Sequence, residues 1–282
     1  FAFLGIGNTM LQVSLNPLLT NVVKGDALTS SLTAGQVVKA VSSICGPFIA
    51  AFAAGTLGNW KYLFPIFALV TLISAIWLMA THIEEQKSEN NAASVVSVFG
   101  LLKDKTILFL FLGIFFVVGI DVGVNTLSPK LLMERAGWAV GNAGLAASVY
   151  FFCKTAGAFI GAFALAKVNA VKYFRWNIVV AALALGLLFF ADGAVPMMIL
   201  IGAIGLFCAS VFSIIYAAAM QARPDKANEI SGLMITGVSG GAVIPPLMGS
   251  MTDMMGSQAG SIIIIGICML YLLWCSFRLS ES

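Results

Sequence analysis

Long apolar runs fill most of the chain, and short polar stretches separate them. A helix needs about 20 apolar residues to cross the hydrocarbon core of a bilayer. The runs are continuous and rich in Leu, Ala, Phe and Gly, whereas a membrane β-barrel shows short alternating segments. The pattern therefore predicts an all-α membrane protein whose nine spans lie at about 1–23, 33–57, 60–81, 106–128, 141–166, 173–191, 195–219, 229–252 and 259–279.

Composition supports a bilayer as the surrounding solvent. Hydrophobic residues make up 60% of the chain and charged residues only 10%, whereas a soluble domain carries about 25% charged residues. The net charge of +3 is too small to indicate nucleic-acid binding. The single histidine, His82, and cysteines without ligand spacing argue against a metal site or a His-based enzyme. We expect no cofactor.

Basic residues predict the orientation. Three of the 15 Lys and Arg residues lie on one side of the predicted spans, and two lie inside spans. Because basic residues concentrate on the cytoplasmic side, the other ten predict a multi-pass plasma-membrane protein with a cytoplasmic C-terminus. Those ten are Lys24, Lys87, Lys103, Lys105, Lys167, Lys172, Arg175, Arg223, Lys226 and Arg278.

A weak internal repeat indicates two related halves. A shift of 198 residues places Gly7 on Gly205 and Pro47 on Pro245, so the first two spans fall on the seventh and eighth. Repeats of six spans are a known transporter plan. The repeat predicts two pseudo-symmetric six-helix bundles, of which helices 4–12 of twelve are present.

The domain boundaries follow from the longest polar stretch, EEQKSENN. It lies in a segment that reads as a linker between bundles. We therefore predict three helices of the N-terminal bundle at 1–81, a cytoplasmic linker at 82–105, and the C-terminal six-helix bundle at 106–282.

Three ionisable residues interrupt the predicted spans: Lys39, Asp121 and Lys154. Each costs about 2.5–3.5 kcal/mol at the bilayer centre, so such residues are usually functional. The lysines have a simpler reading as side chains that snorkel to an interface. The simpler reading of Asp121 is a structural ion pair with one of the lysines.

Amides accompany these charges at helical spacing. Asn8, Gln12 and Asn16 are four residues apart and form one stripe, as Asp121 and Asn125 do on another span. Elsewhere, Gln36 lies three residues before Lys39, and Tyr150 lies four before Lys154. Such stripes face a bundle interior or a wet cavity, because lipid cannot satisfy them. Plain interhelical hydrogen bonding is the alternative for the amides.

Proline and glycine add two expectations. Pro17 has no N–H, so it frees a backbone carbonyl one turn back, near Val13. A freed carbonyl beside an amide stripe suits the recognition of a polyol. Gly157 and Gly161 form a GxxxG pattern, which predicts a close helix–helix contact.

Three stretches resemble the fucose/galactose/glucose–proton symporter family of the major facilitator superfamily. NTMLQVSLNPLLT resembles its fourth helix, and LTAGQVVKAVSSICGPFIAAF its fifth. ISGLMITGVSGGAVIPPLMGSMTD resembles its eleventh helix, with the pattern GGAxIPPLxGxxxD, and is the most specific. The resemblance covers essentially the whole chain and implies a major facilitator fold.

The resemblance also implies roles. Gln12 occupies the place of a Glu that fucose symporters use for proton and sugar handling, and Asn16 matches the Asn of Asn-Pro. Gln36 matches a sugar-contacting Gln, and Asp121 lies where seventh helices carry an acid. The chain departs from the pattern at Lys39, which replaces an expected Asn. Further departures are Lys154, which replaces an apolar or small residue, and Ala158, which replaces an Arg.

Together these features predict a secondary active transporter that takes up a sugar with protons by alternating access. Asp121 is the expected proton carrier, because it is the clearest acid inside the visible spans. We expect a monomer that is not an enzyme. The residues expected to bind the substrate are Asn8, Gln12, Asn16, Gln36, Lys39, Asn125, Tyr150 and Lys154.

Three alternatives remain open. Two cavity lysines suit an anionic sugar acid such as a uronate or sialic acid. A drug or metabolite exporter shares the same fold, but its cavity is expected to be aromatic and weakly polar. A non-transporting membrane sensor would bind a partner instead of moving a substrate.

Overall fold

The computed structural model describes residues 6–7, 10–11, 13–14, 19, 23, 26–56, 58–80 and 95–279. Within these ranges the regular structure is helical throughout, and none of them contains a strand. The predicted all-α class is confirmed.

Eleven α-helices have defined bounds. They are α1 Asp26–Thr56, α2 Leu63–Ala80, α3 Val95–Gly100, α4 Lys105–Ala136, α5 Val140–Ala164, α6 Ala170–Phe190, α7 Ala194–Cys208, α8 Val211–Ala222, α9 Ala227–Thr236, α10 Gly240–Met255 and α11 Ala259–Arg278. Short 3₁₀ turns lie at Trp60–Tyr62, Leu101–Lys103, Pro224–Lys226 and Gly237–Ser239. The helical residues at 6–7, 10–11, 13–14 and 19 precede α1.

Six stretches of the described chain are long and apolar enough to cross a membrane. They correspond to the last six predicted spans, which are therefore confirmed. Two of them join consecutive helices, since α7 and α8 form one span and α9 and α10 form another. The six are Lys105–Ala136, Ala143–Ala164, Ala170–Phe190, Ala194–Ala222, Pro224–Met255 and Ala259–Arg278.

Two predicted boundaries are wrong. The loop expected at 24–32 is largely helix, because α1 begins at Asp26. Leu28 and Leu32 lie one turn apart there and are both buried, so packing favours helix over loop. The span predicted to end at residue 128 continues to Ala136, with Pro129 inside the helix, and ends where Gly137 adopts a left-handed φ of 65°.

The chain forms two compact units, Phe1–Val37 with Ala93–Ser282, and Val38–Ala92. In the first unit α4 packs against α5, α8, α10 and α11, while α5 packs against α7. The short α3 lies in the segment predicted as a linker and packs on α9. The domain boundaries at 81 and 105 stay a prediction.

Glycines allow the closest helix contacts. A side chain at Gly157 would meet the Leu206 carbonyl, and one at Gly161 would meet the Ser210 hydroxyl. The GxxxG pattern thus joins α5 to α7 and its extension, as expected. A glycine on the other helix, Gly205, lies against the backbone and ring of Tyr150. This contact fixes the height of Tyr150 within the bundle.

Candidate functional site

Asp121, Tyr150 and Lys154 form a polar cluster between α4 and α5. The Lys154 Nζ lies 2.5 Å from Asp121 Oδ2. The Tyr150 hydroxyl donates to Asp121 Oδ1 at 2.6 Å. One carboxylate therefore holds two partners that lie one helical turn apart on α5. The spacing of Tyr150 and Lys154 predicted a shared face, and the structure shows that Asp121 is what they face.

The members of this cluster differ in exposure. Tyr150 is fully buried, with its ring against Gly205. The Asp121 and Lys154 side chains are 33% and 28% exposed. A partly exposed ion pair in a membrane span faces water more readily than lipid. The charged pair is thus partly exposed, whereas the buried tyrosine supports the carboxylate from behind.

The position of Asp121 along α4 places it deep in the membrane. It lies 16 residues after Lys105, or about 24 Å along the helix axis at 1.5 Å per residue. Lys154 lies near the middle of the span Ala143–Ala164. The structure thus bears out the ion-pair reading of Asp121, with Lys154 as its partner. Pairing the opposite charges lowers the cost of holding each in the membrane.

The remaining described candidates are less closely tied to this cluster. Asn125 is half-buried one turn beyond Asp121 on the same face of α4. Gln36 is half-buried in α1. Lys39 is exposed and belongs to the second compact unit. Roles for these three in substrate binding stay predictions.

The amide stripe Asn8, Gln12 and Asn16 lies outside the described residues. Its neighbour Val13 is described, and the Val13 carbonyl accepts a hydrogen bond from the Ser231 hydroxyl at 3.0 Å. This is the carbonyl that Pro17 was expected to leave without a helical partner. Ser231 was not among the predicted residues, although the freed carbonyl was a signal that some donor must reach it.

Two charged residues at the C-terminal end of α4 contact neighbouring parts of the bundle. Arg135 Nη1 donates to the carbonyls of Phe189 at 2.9 Å and Ala191 at 3.2 Å, at the end of α6. Glu134 accepts from the Ser257 hydroxyl at 2.7 Å, just before α11. Neither contact was predicted, because charges at a helix end ordinarily face solvent.

The opposite end of α4 carries an ion pair outside the membrane spans. Arg223 Nη2 lies 3.0 Å from Asp104 Oδ2, and Asp104 also accepts from the backbone N–H of Thr106 as the N-cap. The hydrogen bond from Arg223, followed by the one from Thr106, lowers the pKa of Asp104 below its usual value. This pair joins the start of α4 to the end of α8.

A polar recess of about 110 Å³ lies between α4, α10 and α11. Lys130 lies nine residues after Asp121, which places it on the opposite face of α4. The recess is therefore separate from the Asp121 cluster. Its polar lining residues are Thr126, Lys130, Thr252, Asp253, Gln258 and Ser261.

Comparisons with known proteins agree on the type of fold. A family model described as the Major Facilitator Superfamily matches residues 1–141. The chain is similar to a glucose/galactose transporter of Brucella abortus, with 25% identity over 95% of this chain and 68% of that protein. A putative glucose/galactose transporter of Helicobacter pylori is 22% identical over 92% of this chain and 67% of that protein.

Solved structures show the same architecture. A crystal structure of the transporter FucP in the outward conformation has a TM-score of 0.84 and 16% identity, over 96% of this chain and 73% of that chain. A second, of the E. coli fucose:proton symporter FucP, has a TM-score of 0.85 and 17% identity, over 96% and 74%. At this identity the likeness concerns the fold, and it confirms the predicted major facilitator architecture.

Proposed function

Because the chain belongs to the Major Facilitator Superfamily, we propose that it takes up a sugar together with protons by alternating access. Its relatives are sugar transporters and not enzymes. The related fold of a fucose:proton symporter supports proton as the coupling ion. The single observation that carries the proposal is the partly exposed ion pair of Asp121 and Lys154 in the membrane.

Asp121 is the proposed proton carrier. In the ion-paired state the carboxylate is held by Lys154 and by the Tyr150 hydroxyl. Protonation neutralises Asp121, so the attraction to Lys154 is lost and the two side chains can separate. Release of the proton restores the pair. A charge rearrangement of this kind lets one proton bias the exchange between two states of the bundle.

The ion pair also bears on which sugar is carried. Lys154 has an opposite charge at contact distance, so this cluster offers no uncompensated positive charge to a carboxylate. An anionic sugar acid would have to displace Asp121 first. We therefore favour a neutral hexose over a uronate or sialic acid, in keeping with the glucose/galactose relatives.

Hydroxyl recognition is assigned to amides. Asn8, Gln12 and Asn16 of the predicted first span, together with Gln36 and Asn125, supply donors and acceptors that match a polyol. Gln12 cannot ionise, so this stripe binds hydroxyls without carrying the proton.

Lys39 and Tyr150 are the two remaining candidates for contact with the substrate, and we propose different roles for them. Lys39 stays a candidate for contact with the substrate. Tyr150 is fully buried in this state, so its first role is to hold Asp121. A direct sugar contact by Tyr150 belongs to another state of the cycle.

We further propose the cellular setting. The transporter works as a monomer in the bacterial inner membrane, with the C-terminus in the cytoplasm. Helices of 1–81 belong to one bundle and those of 106–282 to the other, joined by a linker at 82–105. The partners are a sugar, a proton and the bilayer, and no cofactor takes part.

The deciding experiment is uptake into proteoliposomes that contain the full chain. We expect an inward proton gradient to drive uphill accumulation of glucose or galactose, and no accumulation of glucuronate or sialic acid. Gln12→Ala is expected to abolish saturable uptake in protein that still inserts. Accumulation of an acid sugar alone would contradict the neutral-hexose proposal and favour an anionic sugar acid as the substrate. Binding without transport of any sugar would indicate a sensor, and efflux of amphipathic drugs an exporter.

A further inference from the structure

A hydrogen-bonded chain links the segment before α1 to the second half of the protein. The Tyr216 hydroxyl on α8 donates to the Ser231 hydroxyl on α9 at 2.7 Å. Ser231 in turn donates to the Val13 carbonyl at 3.0 Å. Tyr216 and Ser231 are both fully buried. These bonds thus place a directional contact on the backbone of Val13, in the segment predicted to carry the amide stripe.

The sequence explains why the Val13 carbonyl is available. In an α-helix it would accept from the N–H of residue 17, and residue 17 is a proline without that hydrogen. A buried carbonyl without a donor is costly. The Ser231 hydroxyl meets this need only while the Val13 segment lies against α9. The bond therefore distinguishes one arrangement of the two segments from any other.

The first turns of α1 make further contacts at the same end. The Ser30 hydroxyl on α1 donates to the Ala162 carbonyl of α5 at 2.6 Å. Leu28 and Leu32 are buried in the common core, whereas Met10, earlier in the chain, is 68% exposed. These contacts join residues before 38 to the six membrane spans of residues 105–278. They lie toward the end that the basic residues assign to the cytoplasm.

We propose that Ser231 and Tyr216 are positioning residues of the transport cycle, which hold the Val13 helix against α9 while the cytoplasmic end is closed. The proposal rests on the proposed function, because it assumes that the two halves move apart to release the sugar. Opening breaks the Ser231–Val13 bond and exposes the freed carbonyl to water. Closing remakes the bond and brings the Val13 segment back against α9.

The effect of removing the bond is a shift between two states. One hydrogen bond changes such an equilibrium by about fivefold. Ser231→Ala is expected to raise the population with an open cytoplasmic end by about that factor. Tyr216→Phe keeps the ring and removes the hydroxyl that donates to Ser231, so it should shift the population in the same direction.

The test is a distance measurement by pulsed electron paramagnetic resonance. Spin labels at the exposed positions Ala27 and Lys167 report the cytoplasmic end, in the full chain with its native cysteines replaced and reconstituted in lipid. The labelled protein that retains Ser231 should give mainly one short distance between the two labels. Ser231→Ala should enlarge the fraction of molecules with a longer distance. No sugar or proton gradient is present, so failure here is separate from failure of the proposed transport.

A matched serine provides the control. Ser128 is also fully buried, but its hydroxyl donates to Val124 within its own helix. Ser128→Ala should leave the distance distribution unchanged. An unchanged distribution in folded Ser231→Ala protein would overturn the proposal. An equal shift in Ser128→Ala would also overturn it, since the shift would then reflect general loosening.

Discussion

Lys154 and Asp121 form an ion pair across α4 and α5, with 2.5 Å between Nζ and Oδ2. The pair lies in two membrane spans, and both side chains keep about a third of their surface exposed. A carboxylate that is paired and partly exposed can take up a proton, which breaks the pair, and release it again, which restores the pair. This relationship gives the proposed cycle its reversible step.

Asp121→Asn is expected to abolish uphill uptake while sugar counterflow continues. The amide keeps the size of the side chain and can still accept from Tyr150, but it cannot take up and release a proton. Counterflow needs only binding and the change of state, whereas accumulation needs coupling. Proteoliposomes with and without a pH gradient separate the two measurements.

The control for this variant is Asp253→Asn, which changes an exposed acid on α10. We expect it to retain both activities. Uphill uptake that survived in Asp121→Asn would place the coupling acid elsewhere in the chain.

Lys154→Met is expected to destabilise the protein, because it leaves the Asp121 carboxylate without its cation. At this exposure solvent screens the pair, so the coupling free energy is about 1 kcal/mol. The double variant with Asp121→Asn should recover part of the loss, since neither charge then remains unpaired. Thermal unfolding in detergent is measured for the wild type, the two single variants and the double variant.

Lys130→Met serves for comparison, since Lys130 is an exposed lysine on α4. It should change the unfolding temperature little. If the stability losses of Lys154→Met and Asp121→Asn simply added in the double variant, the ion pair would contribute no coupling free energy.

Gly205→Ala is expected to lower the unfolding free energy by about 1–3 kcal/mol through overpacking. The added Cβ would lie 2.7 Å from the Tyr150 carbonyl, so α5 and α7 must separate. Because Tyr150 supports Asp121, we also expect weaker proton coupling. Thermal unfolding and gradient-driven uptake are measured on the same preparation.

Gly186→Ala makes the same change in α6, where a Cβ meets nothing within 4 Å. There the alanine should raise stability by about 0.5–1 kcal/mol, because glycine is unfavourable in a helix. The two substitutions are thus expected to have opposite signs. Equal effects would mean that the contact with Tyr150 is not tight.

The length and apolar content of each run were sufficient to predict the last six spans, because both are local properties of a segment. Local spacing also placed Tyr150 and Lys154 on one face of a helix. It could not choose between Lys39 and Lys154 as the partner of Asp121. That choice depends on which helices are neighbours, and the hydrophobic pattern is nearly the same on every span.

The Ser231–Val13 bond could also not be predicted from local sequence. Pro17 indicates that the Val13 carbonyl lacks a helical donor, but the donor that it finds lies 218 residues away in the sequence. Serine is common in membrane helices, so nothing local marks Ser231. The helix at 26–32 was missed for a related reason. Its polar residues are typical of a loop, and only the tertiary burial of Leu28 and Leu32 favours helix.

Arg223→Gln is expected to lower stability at neutral pH and to have little effect in strong acid. The hydrogen bond from Arg223 lowers the pKa of Asp104 in the folded protein. A carboxylate whose pKa is lowered by folding contributes stability above its unfolded pKa, about 3.9. That contribution is lost as the pH falls through the lower folded pKa. The stability difference between wild type and Arg223→Gln should therefore be constant from pH 7 to about 5 and shrink below pH 4.

Chemical unfolding of the reconstituted protein at several pH values measures this difference. In an Asp104→Asn background, Arg223→Gln should cost little at any pH, because the residue at 104 no longer ionises. Surface pairs are screened by salt, so raising the ionic strength should reduce the neutral-pH difference as well. A difference that persisted unchanged into acid, or in the Asp104→Asn background, would show that Arg223 acts through contacts other than Asp104.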